Sequence, residues 1–479
     1  MLDAEAPRRT AGGRVTLVAL DRTWDGAQRV LTSRLLPRHE GRRVALEWVL
    51  TRLLVLGLLI GTQQTIINDV LYYARNVAGM VEGGSLELTL REYPLPVLGV
   101  LTPPWLVSFG SENVYLVLFI AFMFAVDAAF TILLFRSAGR RQSTAVTLWL
   151  LAGPALGPLA ITRFDLLTGV LVGAALLVLL RRPAWSGALV VVGAGLKLWP
   201  IILVPMLAAR VAGRVRVLVG AGVTLAVIAV GCLAGAGLTR SLSPLTWQSE
   251  RGLQIESVPA LPLMIGWVTD SSRWHTYFSN YVSMEISGPG DRLMLALANL
   301  AMLGAIGLLA VLSYRAWRIG RALTPVTVGW FLLAGIGLLI VTNKVFSPQY
   351  LLWLSPVAVA LVAVSSRHDV AARRWTLALF GLGILTQVIY PVTYLWLTTP
   401  YWANPLGVSM LAVRNLVLVG LVGYAVGRAW VGTRRPGRSR ATADSTSQAG
   451  ATQASVVLTD RSGQAAPAGA DEPDAIGSR

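Results

Sequence analysis

Cysteine and charged residues are scarce in this chain of 479 residues, and lysine is nearly absent. The single cysteine, Cys232, lies within an apolar run, which excludes an intramolecular disulfide and argues against redox chemistry or a cysteine-based metal site. Only 14% of the residues are charged, whereas 54% are hydrophobic, and the mean hydropathy is +0.62. This composition indicates a protein that crosses a membrane several times.

Lysine accounts for two of the 41 basic residues, Lys197 and Lys344, and arginine accounts for the others. Both lysines lie at the ends of apolar segments, where a cation is costly. A lysine ammonium is a compact point charge that suits a phosphate, whereas arginine presents a planar fork. The two lysines are therefore candidates for a phosphate-binding site. The alternative is that the genome encodes arginine by default and that these two lysines are remnants without a function.

Apolar runs recur along the chain and are long enough to cross a hydrocarbon layer of about 30 Å. They predict an all-α polytopic membrane protein with spans at 47–66, 113–135, 143–160, 166–180, 217–237, 293–313, 323–342, 348–364, 375–396 and 406–427. Residues 1–46 are polar and arginine-rich, which predicts a cytoplasmic segment without a cleavable signal. Residues 47–430 form the predicted membrane domain. Residues 431–479 are rich in small and polar residues and are predicted to be a disordered cytoplasmic tail.

The distribution of arginine predicts the orientation of the spans. A net charge of +17 can indicate a nucleic-acid partner, but the arginines cluster between the spans, so no such partner is expected. Alternation of sides makes the long loops 67–112 and 238–291 external and leaves Arg75, Arg91, Arg240 and Arg273 as dispersed exceptions. By the positive-inside rule the clusters are cytoplasmic. They are Arg136/Arg140/Arg141, Arg181/Arg182, Arg210/Arg214/Arg216, Arg315/Arg318/Arg321, Arg367/Arg373/Arg374 and Arg428/Arg434/Arg435.

The segment 184–209 has arginine clusters at both ends, so it is predicted to enter and leave the membrane on one side. Pro200 lacks a backbone N–H and disfavours helical geometry at Trp199, which predicts a break there. We interpret the segment as a hairpin of two short helices with Lys197 near its tip. Broken helices are tolerated in membranes where they line a cavity enclosed by protein. With the hairpin counted twice, the chain has about 12 membrane segments and cytoplasmic termini.

Several polar residues then fall together on the outer face of the membrane. A carboxylate with two ammonium groups and a guanidinium near the interface suits transfer of a group from a phosphate-bearing lipid. The base would remove a hydroxyl proton while the cations stabilise the departing phosphate. The residues concerned are Asn68 and Asp69, Glu92 and Tyr93, Arg163 and Asp165, Lys197, Arg251 to Ser257, and Asn343 to Tyr350.

Two of the outer carboxylates also have plainer interpretations. Asp69 could cap the interfacial helix that the spacing of Val70, Ala74 and Val77 predicts. Asp165 could open a helix beside Arg163 and interact favourably with its dipole.

Two further carboxylates have candidate ion-pair partners nearby in the sequence. Glu256 could pair with Arg251 within a loop. Asp127, inside the span 113–135, could be compensated by Arg136 or Arg140, and it is left out of the predicted site.

Four runs in this chain resemble those of glycosyltransferase family 87. They are Arg163–Phe164–Asp165–Leu166–Leu167, Leu196–Lys197–Leu198–Trp199–Pro200, Arg251–Gly252–Leu253–Gln254–Ile255–Glu256–Ser257 and Phe346–Ser347–Pro348–Gln349–Tyr350–Leu351–Leu352–Trp353. The similarity spans about 60–360, in matching order. The resemblance implies a GT-C fold, a polyprenyl-phosphate sugar donor, with mannose as the first candidate sugar, and inverting transfer at the outer face of the cell membrane. It also implies a general base directly after the first span, a position that Asp69 occupies.

Residue roles follow from the outer charges together with this resemblance. Asp69 is the candidate catalytic base, and Lys197, Lys344 and Arg251 are candidates for binding the donor phosphate. Candidates for substrate binding are Tyr72, Tyr73, Glu92, Tyr93, Arg163, Asp165, Glu256, Gln349 and Tyr350. No cofactor and no metal are expected besides the lipid-linked donor, because the cations could replace a metal. The expected partners are that donor, a glycolipid or glycan acceptor of the cell envelope, and membrane lipids.

Two other classes of protein remain as alternatives. A transporter or lipid flippase would use the same external charges to bind a substrate that it moves, and such proteins often have paired broken helices in two related halves. This chain shows one broken hairpin and no internal repeat. A membrane scaffold without chemistry would leave the external lysines and aspartates unexplained.

Overall fold

The computed structural model describes residues 40–137, 142–320, 323–366, 369–399 and 402–434. Most of the predicted N-terminal segment 1–46 and of the predicted tail 431–479 therefore lies outside the described residues. The first helix begins at Glu40, within the predicted N-terminal segment, and the last ends at Gly432.

The described part of the chain is built from helices, with one small sheet inserted. The helices in chain order are α1 Glu40–Gly61, α2 Asn68–Val81, α3 Val97–Val107, α4 Glu112–Ser137, α5 Gln142–Leu156, α6 Leu159–Thr162, α7 Asp165–Val178, α8 Pro183–Leu196, α9 Val204–Ala209, α10 Arg214–Glu250, α11 Leu261–Thr269, α12 Asp291–Ile319, α13 Pro325–Thr342, α14 Leu351–Val364, α15 Val370–Gln387, α16 Leu395–Thr398 and α17 Pro405–Gly432. Short 3₁₀ turns at Gln64–Ile67, Trp199–Leu203 and Pro348–Tyr350 precede α2, α9 and α14.

Seven of the described helices are long and apolar enough to cross a membrane, namely α1, α4, α10, α12, α13, α15 with its extension to Val392, and α17. Six shorter apolar helices or helix pairs accompany them. The protein is therefore an all-α polytopic membrane protein, as the apolar runs predict. Many large apolar side chains on the long helices are exposed, as expected for surfaces that face lipid.

Helix α14 is the most buried helix, and α7 and α13 pack against it. Most residues of α7 and α13 and nearly all residues of α14 are buried, which explains why these segments are largely apolar on every side. Gly169 of α7 faces the backbone of α14, and a Cβ there would clash with the carbonyl oxygen of Leu352. Because Gly169 has no side chain, the backbones of α7 and α14 approach each other closely at this point of the core.

The predicted break in segment 184–209 is present. Helix α8 ends at Leu196, Lys197 is extended with φ −145° and ψ 123°, and a 3₁₀ turn then leads into α9. Helices α8 and α9 contact each other, as a hairpin requires.

The external loop predicted at 238–291 differs from expectation in two ways. The backbone at Gly237 is non-helical, with φ 70° and ψ −178°, where the predicted span ends, but a second helical part of α10 follows it and runs to Glu250. The rest of the loop contains helix α11 and three antiparallel strands, β1 Leu253–Gln254, β2 His275–Ser279 and β3 Ser283–Ser287, in the order β1-β3-β2. In register, Gln254 lies opposite Glu285. This small sheet is an addition to the predicted all-α fold.

Asp127 is compensated by a residue that the sequence did not suggest. Its carboxylate accepts hydrogen bonds from Arg52 Nε at 2.8 Å, Arg52 Nη2 at 2.6 Å and Trp48 Nε1 at 2.5 Å, all from α1. The predicted pairing with Arg136 or Arg140 is wrong for Arg136, which is exposed at the end of α4, and Arg140 lies outside the described residues. The cause is helix packing, because the partner of a buried charge is whichever cation the neighbouring helix brings to the same depth.

Candidate functional site

A cavity of about 690 Å³ lies where α2, the segment before α7, the break after α8, strand β1 and the turn before α14 meet. Eleven of the thirteen predicted site residues line it, although they come from distant parts of the chain. They are Asp69, Tyr72, Tyr73, Glu92, Tyr93, Arg163, Lys197, Arg251, Glu256, Gln349 and Tyr350. The two predicted residues that do not line the cavity are Asp165 and Lys344.

Asp69 lies in the first turn of α2 and forms an ion pair with Arg163. The residue at the helix N-cap is Ile67, and no side chain caps this end, so the predicted capping role of Asp69 is wrong. Arg163 is extended between α6 and α7 and is buried, whereas the Asp69 side chain is 29% exposed. Burial raises the pKa of the Asp69 carboxyl above its ordinary value, although Arg163 opposes this shift. A raised pKa makes the carboxylate a stronger base.

Lys197 pairs with Asp165 beneath the cavity. Its Nζ lies 3.3 Å from Asp165 Oδ1 and 4.4 Å from the ring centroid of Tyr93. The same carboxylate oxygen accepts a hydrogen bond from Trp353 Nε1 at 2.8 Å. Asp165 is fully buried and opens α7, as predicted, and its ion-pair partner is Lys197. Asp165 therefore acts on the cavity indirectly, by holding a cation at its wall.

The loop after α2 carries Glu92 and Tyr93 to the cavity. Tyr72 donates a hydrogen bond from its hydroxyl to Glu92 Oε1 at 2.8 Å. Tyr73 is buried among aromatic rings, and Tyr93 packs edge-on against it with a centroid distance of 6.3 Å. Burial raises the pKa of the Tyr72 hydroxyl, and Glu92 adds to the shift, so this hydroxyl stays protonated as a donor.

A buried arginine holds the same loop in place from α10. Arg240 donates hydrogen bonds to the carbonyl oxygens of four loop residues, with distances of 3.0 to 3.3 Å. These acceptors are Leu86, Thr89, Leu90 and Tyr93. The arginine distribution predicted Arg240 to be one of the dispersed charges of an external loop, but its side chain is buried and only 1% exposed. It joins α10, after the interruption at Gly237, to the loop that carries Glu92 and Tyr93.

Arg251 and Lys344 lie near each other at another side of the site. Arg251 lines the cavity, its buried Nε has no hydrogen-bond partner, and none of the described carboxylates is within ion-pair distance of it. Lys344 Nζ instead donates to the carbonyl oxygen of Ser249 at 2.9 Å. Burial lowers the pKa of Lys344, and the Arg251 charge lowers it further. The Glu285 carboxylate offsets part of these shifts, so the two cations are partly compensated, and a further anion near them would be stabilised.

Glu256 is buried and its partner is Arg414 of α17, so the predicted pairing with Arg251 is wrong. Arg414 Nη1 donates to Glu256 Oε2 at 2.6 Å, and Nη2 donates to the Glu256 carbonyl oxygen at 2.7 Å. Burial raises the pKa of the Glu256 carboxyl, and Arg414 opposes that shift. The wrong prediction has a simple cause, since the two residues are 158 positions apart and only the packing of α17 brings them together.

Gln349 and Tyr350 occupy the turn before α14. Tyr350 stacks on Trp353 with a centroid distance of 3.9 Å and an interplanar angle of 19°. The Oε1 of Gln349 is buried without a partner among the described residues. Nearby, Gln254 Oε1 accepts from the Phe346 N–H at 2.6 Å, which ties strand β1 to this turn. The turn thus presents an amide and an aromatic face to the cavity.

The model of the family described as glycosyltransferase family 87 matches residues 92–342, more than half of the chain. This protein belongs to that family. Comparisons with curated proteins and with solved structures found no match. Within the family match lie Glu92, Tyr93, Arg163, Lys197, Arg251 and Glu256, whereas Asp69 precedes it and Gln349 and Tyr350 follow it.

In this family member, sequence reasoning missed several residues of the site. Tyr390 and Tyr394 line the cavity next to each other, with ring centroids 4.9 Å apart, and Trp247 lines it from the end of α10. Arg414 and Arg240 hold lining residues in place. A usable signal existed for Arg414, because it is an arginine inside the predicted span 406–427, and charges in spans have partners or functions. The tyrosines gave no comparable signal.

Proposed function

We propose that this membrane glycosyltransferase moves a sugar, with mannose as the first candidate, from a polyprenyl-phosphate donor to a hydroxyl of a glycolipid or glycan acceptor. Transfer is inverting and takes place at the outer face of the cell membrane. No cofactor besides the lipid-linked donor is part of the proposal, and no metal is part of it.

One observation carries the proposal, namely that a partly exposed carboxylate and several cations line one cavity. Asp69 supplies the carboxylate, and Arg163, Lys197 and Arg251 supply the cations. Arg251 is the strongest candidate for the phosphate, since no carboxylate in the described ranges neutralises it. The cavity also holds many tyrosine and tryptophan rings, which suit the apolar faces of sugars.

The proposed reaction assigns a role to each of these groups. Asp69 takes the proton of the acceptor hydroxyl, whose oxygen attacks the anomeric carbon from the side opposite the lipid phosphate. The new glycosidic C–O bond forms while the bond from the anomeric carbon to the phosphate oxygen breaks. The bonding electrons leave with the lipid phosphate, where Arg251 and Lys197 stabilise the charge. The proton stays on Asp69 until solvent removes it.

Arg163 lies between the base and the leaving group in this scheme. Its ion pair with Asp69 keeps the carboxylate in place. Its guanidinium has five N–H donors, and a single carboxylate cannot occupy all of them. A donor phosphate can share that guanidinium. Lys344 supports the phosphate site through its charge beside Arg251.

The outer location of the site rests on the arginine clusters, which assign the loops around 67–112 and 238–291 to the external side. The sugar and the lipid donor rest on the family resemblance of the sequence.

The test is a transfer assay with purified protein, a panel of prenyl-phosphate sugars and envelope glycolipid acceptors. Wild-type protein is expected to transfer one sugar, and Asp69→Asn is expected to lose about 10²–10⁴-fold in turnover while retaining its fold. Asp270→Asn is the control, because Asp270 lies in the other predicted external loop, 238–291, and does not line the cavity. A transporter or flippase would give no transfer in any form. Near-normal turnover of Asp69→Asn would remove Asp69 from the reaction.

A further inference from the structure

The two carboxylate oxygens of Glu256 have different environments. Oε2 accepts the hydrogen bond from Arg414 Nη1 at 2.6 Å. Oε1 is buried and has no hydrogen-bond partner among the residues that the structure describes, although Glu256 lines the cavity. A buried carboxylate oxygen without a donor is costly, so such a group in a cavity wall calls for a donor that arrives with a ligand.

Arg414 and its neighbour fix this carboxylate in one orientation. Besides its two bonds to Glu256, Arg414 donates from Nε and Nη2 to Asn415 Oδ1 at 3.2 and 3.0 Å. Asn415 Nδ2 in turn donates to the Glu256 carbonyl oxygen at 3.1 Å. The guanidinium also lies over the Phe346 ring, with 4.3 Å to the centroid. Both Arg414 and Asn415 are fully buried, so Glu256 has little freedom to turn Oε1 elsewhere.

Tyr394 completes the polar surface around Oε1. It lines the cavity, and its hydroxyl is close enough to the Glu256 carboxylate to lower the pKa of that carboxyl, although Oε1 receives no hydrogen bond from it with acceptable geometry. Tyr390 packs edge-on against Tyr394 and is near both Glu256 and Asp69. The two tyrosines therefore connect the Glu256 end of the cavity with the proposed base.

We propose that Glu256, positioned by Arg414, accepts a hydrogen bond from a sugar hydroxyl through Oε1 and so contributes to the choice of sugar. This inference rests on the proposed function, because it assigns a specificity role within the same cavity. Glu256 touches substrate in this proposal, and Arg414, which lies outside the family match, is a positioning residue. A site built to bond a hydroxyl rejects analogues that lack it far more strongly than an apolar pocket does.

The hydroxyl could belong to the donor sugar or to the acceptor glycan, and both present the same chemistry to a carboxylate. Deoxy and deoxyfluoro analogues distinguish the two sources. A fluorine keeps the size and acceptor character of the hydroxyl but cannot donate a hydrogen bond. One series of analogues is made on the donor sugar and a second on the acceptor sugar, one position at a time.

The experiment measures kcat/KM for each analogue with wild type, Glu256→Gln and Glu256→Ala. In wild type, one position in one series is expected to lose about 10–100-fold when its hydroxyl is replaced, as for a hydrogen bond to a charged group. In Glu256→Ala the natural substrate is expected to lose activity by a similar factor, while replacing that hydroxyl costs little further. Glu256→Gln should do the same, because Arg414 binds the amide oxygen at the position of Oε2 and leaves the NH₂ group, which cannot accept, at the position of Oε1. Glu250→Gln is the matched control, since Glu250 is an exposed external carboxylate that does not line the cavity, and it should keep the wild-type pattern.

Arg414 is tested through its effect on that pattern. Arg414→Lys is expected to reduce the discrimination between hydroxyl and deoxy substrate more than it reduces thermal stability. If single variants fail to fold, the pair Glu256→Gln with Arg414→Gln removes both buried charges together and avoids an uncompensated one. That pair should fold and show the same loss of discrimination as Glu256→Gln.

Three results would overturn the proposal. The first is equal transfer of every deoxy analogue by wild type. The second is full retention of the discrimination by Glu256→Gln, Glu256→Ala or the double variant. The third is an absence of sugar transfer by wild type with all donors, which would remove the proposed function itself and the specificity role with it.

Discussion

Arg163 and Asp69 form an ion pair in the cavity wall, and they belong to different elements, the extended residue before α7 and the first turn of α2. The pairing favours the ionised form of a partly exposed carboxylate whose pKa burial raises. It also makes the basicity of Asp69 depend on a neighbour that can be changed.

The first prediction concerns the pH dependence of transfer. Burial raises the pKa of Asp69, and Arg163 lowers it. Replacing the cation in Arg163→Gln removes the lowering effect, so the pKa of Asp69 should rise further. Since the base acts in its ionised form, the acid limb of the kcat/KM profile should move to higher pH. Arg273→Gln, at an exposed arginine that does not line the cavity, should leave the limb unchanged. An unchanged limb in Arg163→Gln would exclude Asp69 as the titrating base.

The same shift has a consequence for stability. A carboxyl whose pKa is raised in the folded state binds protons more tightly there than in the unfolded chain. Its contribution to the free energy of unfolding is therefore more favourable below the ordinary pKa and decreases as pH rises through the folded-state pKa. The free energy of unfolding of wild type should therefore decrease as pH rises through this acidic range, and Asp69→Asn should lack this decrease. Thermal unfolding of both proteins across the range measures the difference.

The second prediction tests whether the two lysines act through ammonium geometry. Lys197 Nζ fits between Asp165 and the rings of Tyr93 and Phe164, and a guanidinium is larger and planar. Lys197→Arg and Lys344→Arg should each reduce transfer, by up to about 10–100-fold for the loss of one charge-assisted bond, and each Lys→Ala should reduce it more. Arg292→Lys, on an exposed residue of α12, is the control. Full activity of both arginine variants would favour genome bias as the reason for the scarcity of lysine.

The third prediction concerns the buried pair of Arg52 and Asp127. Asp127→Asn leaves the Arg52 guanidinium without a counter-charge, which should lower the free energy of unfolding by about 3–5 kcal/mol. The pair Arg52→Met with Asp127→Leu should recover much of that loss, because it removes both charges. Arg136→Gln should change stability little, since Arg136 is exposed. Thermal unfolding in detergent measures all three, and a larger effect of Arg136→Gln would contradict the assigned pairing.

The fourth prediction concerns Arg240, which holds the loop that carries Glu92 and Tyr93. Arg240→Gln removes most of the donors to four carbonyl oxygens, so stability should fall by about 1–3 kcal/mol and the apparent affinity for the donor should weaken. Ser241→Ala is the matched control, because its exposed hydroxyl bonds only within α10. Unchanged KM and stability in Arg240→Gln would show that the loop is held by other contacts.

The fifth prediction tests the orientation on which the outer site depends. Single cysteines at Ser85 and Ser272, in a Cys232→Ala background, should react with an impermeant thiol reagent added to intact cells. Cysteines at Ser137 and Ser366 should react only after the cells are permeabilised. Ser85, Ser272 and Ser366 are exposed positions, so access to the reagent reports the side of the membrane. Reversed labelling would place the cavity on the cytoplasmic face.

The sequence predicts those features of the fold that depend on interactions between residues close together in the chain. The runs of apolar residues located the long helices, and Pro200 with Trp199 located the break after α8, because both follow from local backbone and solvent chemistry. The continuation of α10 to Glu250 was missed because Gly237 looks like an end, although the helix resumes after it. The strands β2 and β3 were missed because pairing between strands stabilises them, β3 with both β1 and β2, and such pairing is not a local property of the sequence.

The sequence by itself determined the membrane character, the approximate spans and a set of polar residues, of which eleven line one cavity. Tertiary structure alone decided which charges pair, as in Arg52 with Asp127, Lys197 with Asp165 and Arg414 with Glu256. Apolar periodicity is a local property of the chain, so it can be read directly. The partner of a buried charge depends on which helices pack at the same depth, and such contacts join residues dozens to more than a hundred positions apart.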